Sequence, residues 1–499
     1  MRLTTLIRLF VTLLLTFVTQ KVLFMLFNMG FAAGAPFGSC MVSLWHGLRL
    51  DISVACYLMA IPVVVMVVSL FFRRFPLRKV LVPYYAIVAL LLALIFVADT
   101  VLYHFWGAKL DANDLFYAAK PKEMFASLPL WATLLAFVVV AAFAVLYFWS
   151  LCHATPARLQ DRRPAGRRLS TGLLFLPVVA LLFLGMRGGV GVATANPSYA
   201  YFSPFAFCNH AALNPTFNIF HSLFKTQDLE EEFNSLSEEE VENLLGDSYA
   251  PDATLSDTLL CMERPNILFV IWEGAGIGMV GSDTVAPNLH RLIPEGVYFS
   301  RCHANSFRTD RGLVSLLSGW LGLPTTSLMK RTSLCRCLPS VAAVLSAQGY
   351  STSIAYGGDI NFTNMRLYFS ETGFAHVAGE EAFPALPGHS SWGIPDEYLL
   401  TTDLLPAQRP FFSAVLTLSS HEPWDIPMQR LTDAKRNAFA YTDSCLGALV
   451  AQLQASPAWD SLLLVIVPDH GIPFLEGQAT HDASVSHIPM LWLGGAVSK

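Results

Sequence analysis

At 499 residues the chain exceeds the usual size of one domain, and 54% hydrophobic against 14% charged residues is too apolar for a wholly soluble protein. A formal net charge of −5 gives no support for nucleic acid as a partner.

Apolar runs crowd the first two hundred residues. Residues 9–29, 52–72, 80–98, 128–149 and 169–186 each approach the length of a helix that crosses the hydrocarbon of a bilayer. The first run carries Lys21, which is costly in lipid unless it faces the helix bundle or snorkels. Four further runs argue against reading the first as a cleaved signal peptide. Arginine placement orients the set. The turn "RRFPLRK" holds Arg73, Arg74, Arg78 and Lys79, and the turn between the fourth and fifth runs holds Arg158, Arg162, Arg163, Arg167 and Arg168. Both turns should stay in the cytoplasm, as should the N-terminus with Arg2 and Arg8, so five crossings deliver everything after about Gly188 to the outer face.

The next stretch, "GVATANPSYAYFSPFAFCNHAALNPTFNIFHSLF", has few charges and several turn-formers, which suits a path along the membrane surface. The acidic "DLEEEFNSLSEEEVENLLGD" reads as a solvated helical connector rather than a metal site. Nine cysteines leave at least one unpaired in a monomer. The "LCRCL" pair, Cys335 and Cys337, lacks the second pair that a thiolate zinc site needs, and an outward-facing domain permits disulfides whose pairing the sequence does not choose.

At "RPNILFVIWEGAG" the texture changes to a core strand over residues 267–272, ending at Glu273 and followed by Gly274 and Gly276. Glu273 reads either as an exposed turn acid or as an oxygen ligand at a strand end. In "NSFRTDRGLVSLLSGW", Thr309 precedes a helical pattern with Leu313, Leu316 and Leu317. It is either an ordinary N-cap or a nucleophilic hydroxyl beside the N–H groups of a helix start. In "LLLVIVPDHG", residues 462–467 form a second apolar strand that Pro468 discourages from continuing, with Asp469 and His470 just beyond. Loop and surface roles suit this pair in isolation. Ligands, however, gather beyond the carboxyl ends of parallel strands, and two carboxylates with an imidazole suit a divalent cation.

Together these residues resemble the lipoteichoic acid synthase family of polyglycerolphosphate transferases, in the alkaline phosphatase and sulfatase superfamily. The resemblance covers nearly the whole chain. It implies a five-helix transmembrane bundle over residues 1–190, a juxtamembrane and helical connector over 191–263, and an extracytoplasmic α/β sulfatase-like domain with a mostly parallel sheet over 264–499. It also implies one divalent cation, Mn²⁺ favoured and Mg²⁺ the alternative, held by Glu273, Thr309, Asp469 and His470, with Thr309 as nucleophile. His421 in "TLSSHEPW" matches a histidine near the active centre, while "SWGIPDEYLL" around Asp396 and "YTDSCLG" around Asp443 match the helical framework. The implied partners are a phospholipid donor of the phosphatidylglycerol type, a glycan or polyglycerolphosphate-like acceptor, and the lipid of a bacterial cytoplasmic membrane.

One segment departs from the Gram-positive form of that pattern. In "YGGDINFTNMRLYF", Gly357, Thr363 and Met365 stand where histidine, tryptophan and arginine are expected, while Phe362 and Asn364 remain and Asp359 adds a carboxylate. Losing a guanidinium removes a bidentate phosphate partner. The form looks more like Gram-negative relatives similar to phosphoglycerol transferases acting on periplasmic glucans. Asp359, Asn364, Arg366 and Trp424 are the expected substrate-binding residues. His303, His389, His481 and His487 read as structural or surface histidines. The competing activities are a phosphoethanolamine transferase, a sulfuric-ester hydrolase, which "RTDRG" disfavours because it lacks a C-x-P-x-R or S-x-P-x-R nucleophile segment, and a silent binder of envelope polymer.

Overall fold

The computed structural model describes residues 1–112, 130–223, 236–245, 258–323, 326–383 and 392–498. They form two compact units, Met1–Lys225 and Thr226–Lys499.

The first unit is a cluster of long apolar helices. Five of them, Arg2–Phe27, Phe37–Phe71, Leu77–His104, Leu134–Ala154 and Gly166–Arg187, are long and apolar enough to cross a membrane. Several run past their hydrophobic stretches. The first helix starts at Arg2, seven residues before the apolar run, because helix propagation continues through Thr4, Thr5 and Arg8 once the span nucleates it. Arg2 then reaches Asp161 in the loop after the fourth span (2.7 Å), and Asp161 also binds Arg163 (2.7 Å). Lys21 faces the interior. Its ammonium lies 2.7 Å from Asp51 Oδ2 on the second span, and Asp51 Oδ1 accepts from Asn214 Nδ2 at 2.8 Å. The charge that made the first span questionable is thus buried with an opposite charge. Lys109 pairs with Asp99 in the same manner.

Within the acidic connector, Glu238–Leu245 is an exposed helix whose start is closed by Ser237 and Glu240. Ser237 N–H donates to Glu240 Oε2 (2.8 Å) and Glu240 N–H to Ser237 Oγ (3.3 Å).

The second unit is built on a seven-stranded sheet: β1 (Asn266–Ile271), β2 (Val297–His303), β3 (Ser351–Tyr356), β4 (His376–Ala378), β5 (Phe411–Leu416), β6 (Leu462–Val467) and β7 (His487–Leu493). Their order across the sheet is β2-β7-β6-β1-β5-β3-β4. From β6 to β4 every pairing is parallel, whereas β7 runs antiparallel to both β6 and β2. Every residue of β5 and β6 is buried, which explains why both read as unbroken apolar runs rather than alternating ones. β1 stops at Ile271, one residue short of the expected strand, and leaves Trp272 and Glu273 just beyond its end.

Two buried aspartates lock the framework. Asp396 Oδ1 accepts N–H bonds from Leu418 (2.8 Å) and Ser419 (3.2 Å) beyond β5, and Oδ2 accepts from Thr442 Oγ1 (2.6 Å) on helix Ala434–Gln454. Asp443, one residue on, accepts from the backbone N–H groups of Asn288 and Leu289 (both 2.9 Å) at the start of helix Pro287–Leu292. Asp396→Ala strands three donors in a dry interior. At ~1 kcal/mol or more for each, it is expected to lower stability by roughly 3 kcal/mol in denaturant titration, whereas Asp443→Asn, which keeps one of the two acceptor oxygens, costs less. Equal stability of Asp396→Ala and the parent would contradict this assignment.

Candidate metal centre and active site

β6 and β1 are parallel neighbours in register, Val467 opposite Ile271, so the segments leaving their carboxyl ends emerge side by side. This brings Glu273 against Asp469 and His470 across nearly two hundred residues of sequence. The candidate ligand atoms of the three lie within 4.8 Å of one another, and all three side chains are buried. His470 Nε2 stands 3.2 Å from Glu273 Oε1 and 3.5 Å from Asp469 Oδ2.

The local backbone aims these atoms. Asp469 Oδ1 accepts from the N–H groups of Gly274 (3.1 Å) and His470 (2.9 Å), which fixes the carboxylate and turns Oδ2 inward. Gly274 makes that approach with φ +68°, a conformation that suits glycine. On the imidazole, Nδ1 donates to the Gly471 carbonyl at 3.0 Å, which leaves Nε2 as the nitrogen that would present its lone pair to a bound cation. Glu273 is held from both sides of its backbone: its N–H donates to Thr417 Oγ1 (3.0 Å), and Ser420 Oγ donates to its carbonyl (2.6 Å).

Thr309 completes the group. It is the first residue of helix Thr309–Ser318, and the capping position falls to Arg308. Its hydroxyl therefore does not cap the helix. Oγ1 instead lies 3.1 Å from Glu273 Oε2 and 3.3 Å from His470 Nε2. The helix comes this close because position 312 is glycine: a Cβ there would sit 2.2 Å from the Asp469 carbonyl oxygen.

Electrostatics favour a cation here. Burial, with the charge of Glu273 beside it, pushes the Asp469 carboxyl well above the ordinary range. Burial opposes the charged forms of Glu273 and His470 as well, but their mutual attraction, helped by Asp469, keeps Glu273 low and raises His470. Asp469 Oδ2 is buried with no hydrogen-bond partner, as suits an oxygen reserved for a metal. Two hard oxygens, one imidazole and the adjacent hydroxyl fit a divalent cation of the manganese, magnesium or zinc type.

Glu273, Thr309 and His470 open onto a cleft of about 620 Å³. His421 and Trp424 line it too. Trp392 packs on His421 with ring centroids 4.8 Å apart, and Trp424 holds φ +62°, rare for so large a side chain. Asp359, Asn364 and Arg366 are not among the lining residues, whereas Phe362 and Thr363 from the same loop are. Asp359 turns back on its own loop to accept from Asn361 N–H (3.0 Å), Asn364 is buried, and Arg366 is drawn away by Glu381. The cleft's cations come from elsewhere: Arg308, Lys330, whose Nζ is 2.5 Å from Asp310 Oδ2, and Lys435. Sequence reasoning passed over all three, along with Ser420. Asp310 directly after Thr309 was the one available hint for Lys330. His303 and His487 stack on each other, 5.0 Å between centroids, on paired strands β2 and β7, and neither they nor His481 line the cleft. His389 lies outside the described residues. Cys335 is buried and Cys337 exposed, each a free thiol.

The Sulfatase family model matches residues 265–495. Phosphoglycerol transferase I from Xanthomonas axonopodis pv. citri (strain 306) is 26% identical over 216 residues, covering 37% of this chain and 30% of that protein. Among solved structures, a Vibrio parahaemolyticus protein of the alkaline phosphatase superfamily is similar at 26% identity and TM-score 0.48, over 54% of this chain and 72% of its own. The lipoteichoic acid synthase LtaP from Listeria monocytogenes is similar at 19% identity and TM-score 0.46, over 50% and 71%.

The second unit is thus a sulfatase-fold domain. Over part of its length the chain is similar, at low identity, to phosphoglycerol transferases, of whose own length it spans less than a third. Ahead of this domain stand five helices long and apolar enough to cross a membrane.

Proposed function

We propose that the chain is a metal-dependent transferase that moves a glycerolphosphate group from a phosphatidylglycerol-like lipid to an envelope glycan or polymer through a phosphothreonine intermediate. The observation that carries this reading is the Thr309 hydroxyl, 3.1 Å from Glu273 and 3.3 Å from His470, at the mouth of a cleft above an orphaned Asp469 oxygen.

Glu273, Asp469 and His470 would hold the ion, which lowers the cost of forming an alkoxide at Thr309 and offsets charge developing on the phosphoryl oxygens. Thr309 gives up its hydroxyl proton to solvent in the cleft as Oγ1 attacks phosphorus, and the bond from phosphorus to the diacylglycerol oxygen breaks. That oxygen leaves as a hydroxyl after taking up a proton, for which His421 on the cleft wall is the available donor. In the second half, an acceptor hydroxyl attacks the same phosphorus and passes its proton to His421, the bond from phosphorus to Thr309 Oγ1 breaks, and Thr309 takes a proton back from solvent. Arg308 and Lys330 supply positive charge along the route of the phosphodiester, a task the sequence had given to Arg366.

The reading is tested by offering purified protein isotopically labelled phosphatidylglycerol, phosphatidylethanolamine and an aryl sulfate, with a periplasmic-type glucan as acceptor. Diacylglycerol release and labelled glycan are expected from phosphatidylglycerol alone. Exclusive turnover of the ethanolamine lipid would overturn the donor, and sulfate release without phosphoryl transfer the reaction class.

Topology has its own expected result. In a background free of native thiols, Arg162→Cys should react with an impermeant maleimide only after the cells are opened, and Arg308→Cys should react from outside in spheroplasts. Labelling of position 308 only after lysis would deny the domain access to outer-leaflet lipid.

A further inference from the structure

We propose that Cys40 and Cys208 are joined by a disulfide in the mature protein. The two thiols belong to separate elements of the first unit, helices Phe37–His46 and Ala206–Ala212, 168 residues apart. Their sulfurs face each other at 3.7 Å, and both side chains are buried. A second contact holds the two helices in this register: Ser43, one turn after Cys40, donates from Oγ to the Cys208 carbonyl at 2.9 Å. Bond formation closes the sulfurs by roughly 1.7 Å, to the usual S–S separation near 2.05 Å, which is the scale of a side-chain rotation rather than of a helix displacement.

Topology decides whether oxidation is available. Cys40 is the fourth residue of the second candidate span, at the end reached after one crossing, and Cys208 follows all five. Both numbers are odd, so both residues lie on the face opposite the N-terminus and the arginine-rich turns. With those turns in the cytoplasm, the pair sits at the outer face, where disulfides form and persist. Proximity in sequence misleads here. Cys335 and Cys337 are two residues apart, yet Cys335 is buried against the Leu328 and Met329 carbonyls and Cys337 is exposed.

In the reaction each thiol loses its proton and the pair gives up two electrons as the S–S bond forms. The acceptor is a disulfide-bearing thiol oxidant of the cell envelope, which leaves as its dithiol. The product fastens the segment that leaves the fifth span to the start of the second. Its anchorage then no longer depends on side-chain packing alone.

The test uses the full chain. Cells are acid-trapped and alkylated with N-ethylmaleimide under denaturing, non-reducing conditions before lysis products can oxidise, and the protein is digested for mass spectrometry. A linked Cys40–Cys208 peptide that disappears on reduction is expected, with no N-ethylmaleimide on either residue. In Cys40→Ser, Cys208 should become fully alkylated. In cells lacking the envelope oxidant, the parent should carry both labels. Stoichiometric alkylation of both cysteines in the unreduced parent would overturn the proposal, as would a linked peptide joining Cys208 to another cysteine. Because the decisive measurement is made on the parent chain, it stands whether or not the serine variant folds.

Discussion

Thr309→Ala is expected to abolish glycerolphosphate transfer, with kcat down by roughly a thousand-fold or more, the scale on which removal of a covalent nucleophile acts. The Thr309 hydroxyl sits between Glu273 and His470 on the cleft, so its loss removes the proposed attacking oxygen from the candidate metal centre. Thr309→Ser keeps the oxygen but not the methyl that restricts its rotamer, and should retain part of the rate. Quenching the parent enzyme with labelled lipid and no acceptor should yield a phosphoglycerol adduct on the peptide containing Thr309, absent in Thr309→Ala. The fold should be indifferent, since Thr309 lies on the cleft and Arg308 holds the capping position. An alanine variant that still transfers would end the covalent mechanism while leaving the metal centre standing.

Asp469→Asn should be nearly as severe, for a different reason. The amide oxygen can still accept from Gly274 and His470, as Oδ1 does now. The amide nitrogen would then occupy the inward position of Oδ2, presenting hydrogens where a cation needs a lone pair. Metal content measured after dialysis should fall from about one ion per chain to near zero, with affinity weakened by roughly a hundred-fold or more. Chelator treatment of the parent should silence it, and Mn²⁺ should restore it better than Mg²⁺ because one ligand is an imidazole. Unchanged metal content in Asp469→Asn would mean that Oδ2 is not a ligand. Full activity after exhaustive chelation would remove metal chemistry altogether.

What the sequence revealed, and what it hid, divides along a physical line. Buried parallel strands must be apolar on both faces, so β6 stood out as an unbroken run at the bounds it has in the structure. A carboxylate or an Asp-His pair set directly after such a run is conspicuous because it breaks a strong pattern. Thr309 was visible as a helix start, although a hydroxyl at that place serves capping and catalysis alike and only the fold distinguishes them. Residues that reach the cleft by tertiary packing left no mark. Lys330 comes in on a short turn opposite Asp310, and Lys435 from the first turn of a long helix on the other side. Arg366 shows the reverse: its place in the sequence near Asn364 suggested a substrate contact, whereas in the structure it pairs with Glu381, fifteen residues later, and does not line the cleft. Span limits shifted because hydropathy marks where a helix is apolar, not where its hydrogen bonding stops.

The Lys21–Asp51 pair bears on how the chain enters the bilayer. A lone lysine or aspartate at the centre of a spanning helix costs roughly 3 kcal/mol to insert and less toward its ends, so the first span and the second each carry a penalty that the other offsets. Neither is a comfortable resident of lipid alone. Once both have emerged from the translocation machinery their charges cancel, and the favoured unit of insertion becomes the helical hairpin rather than the single helix. Asp51→Leu would therefore strand an ammonium during biogenesis, with its harm appearing as degraded nascent chain rather than as slow catalysis.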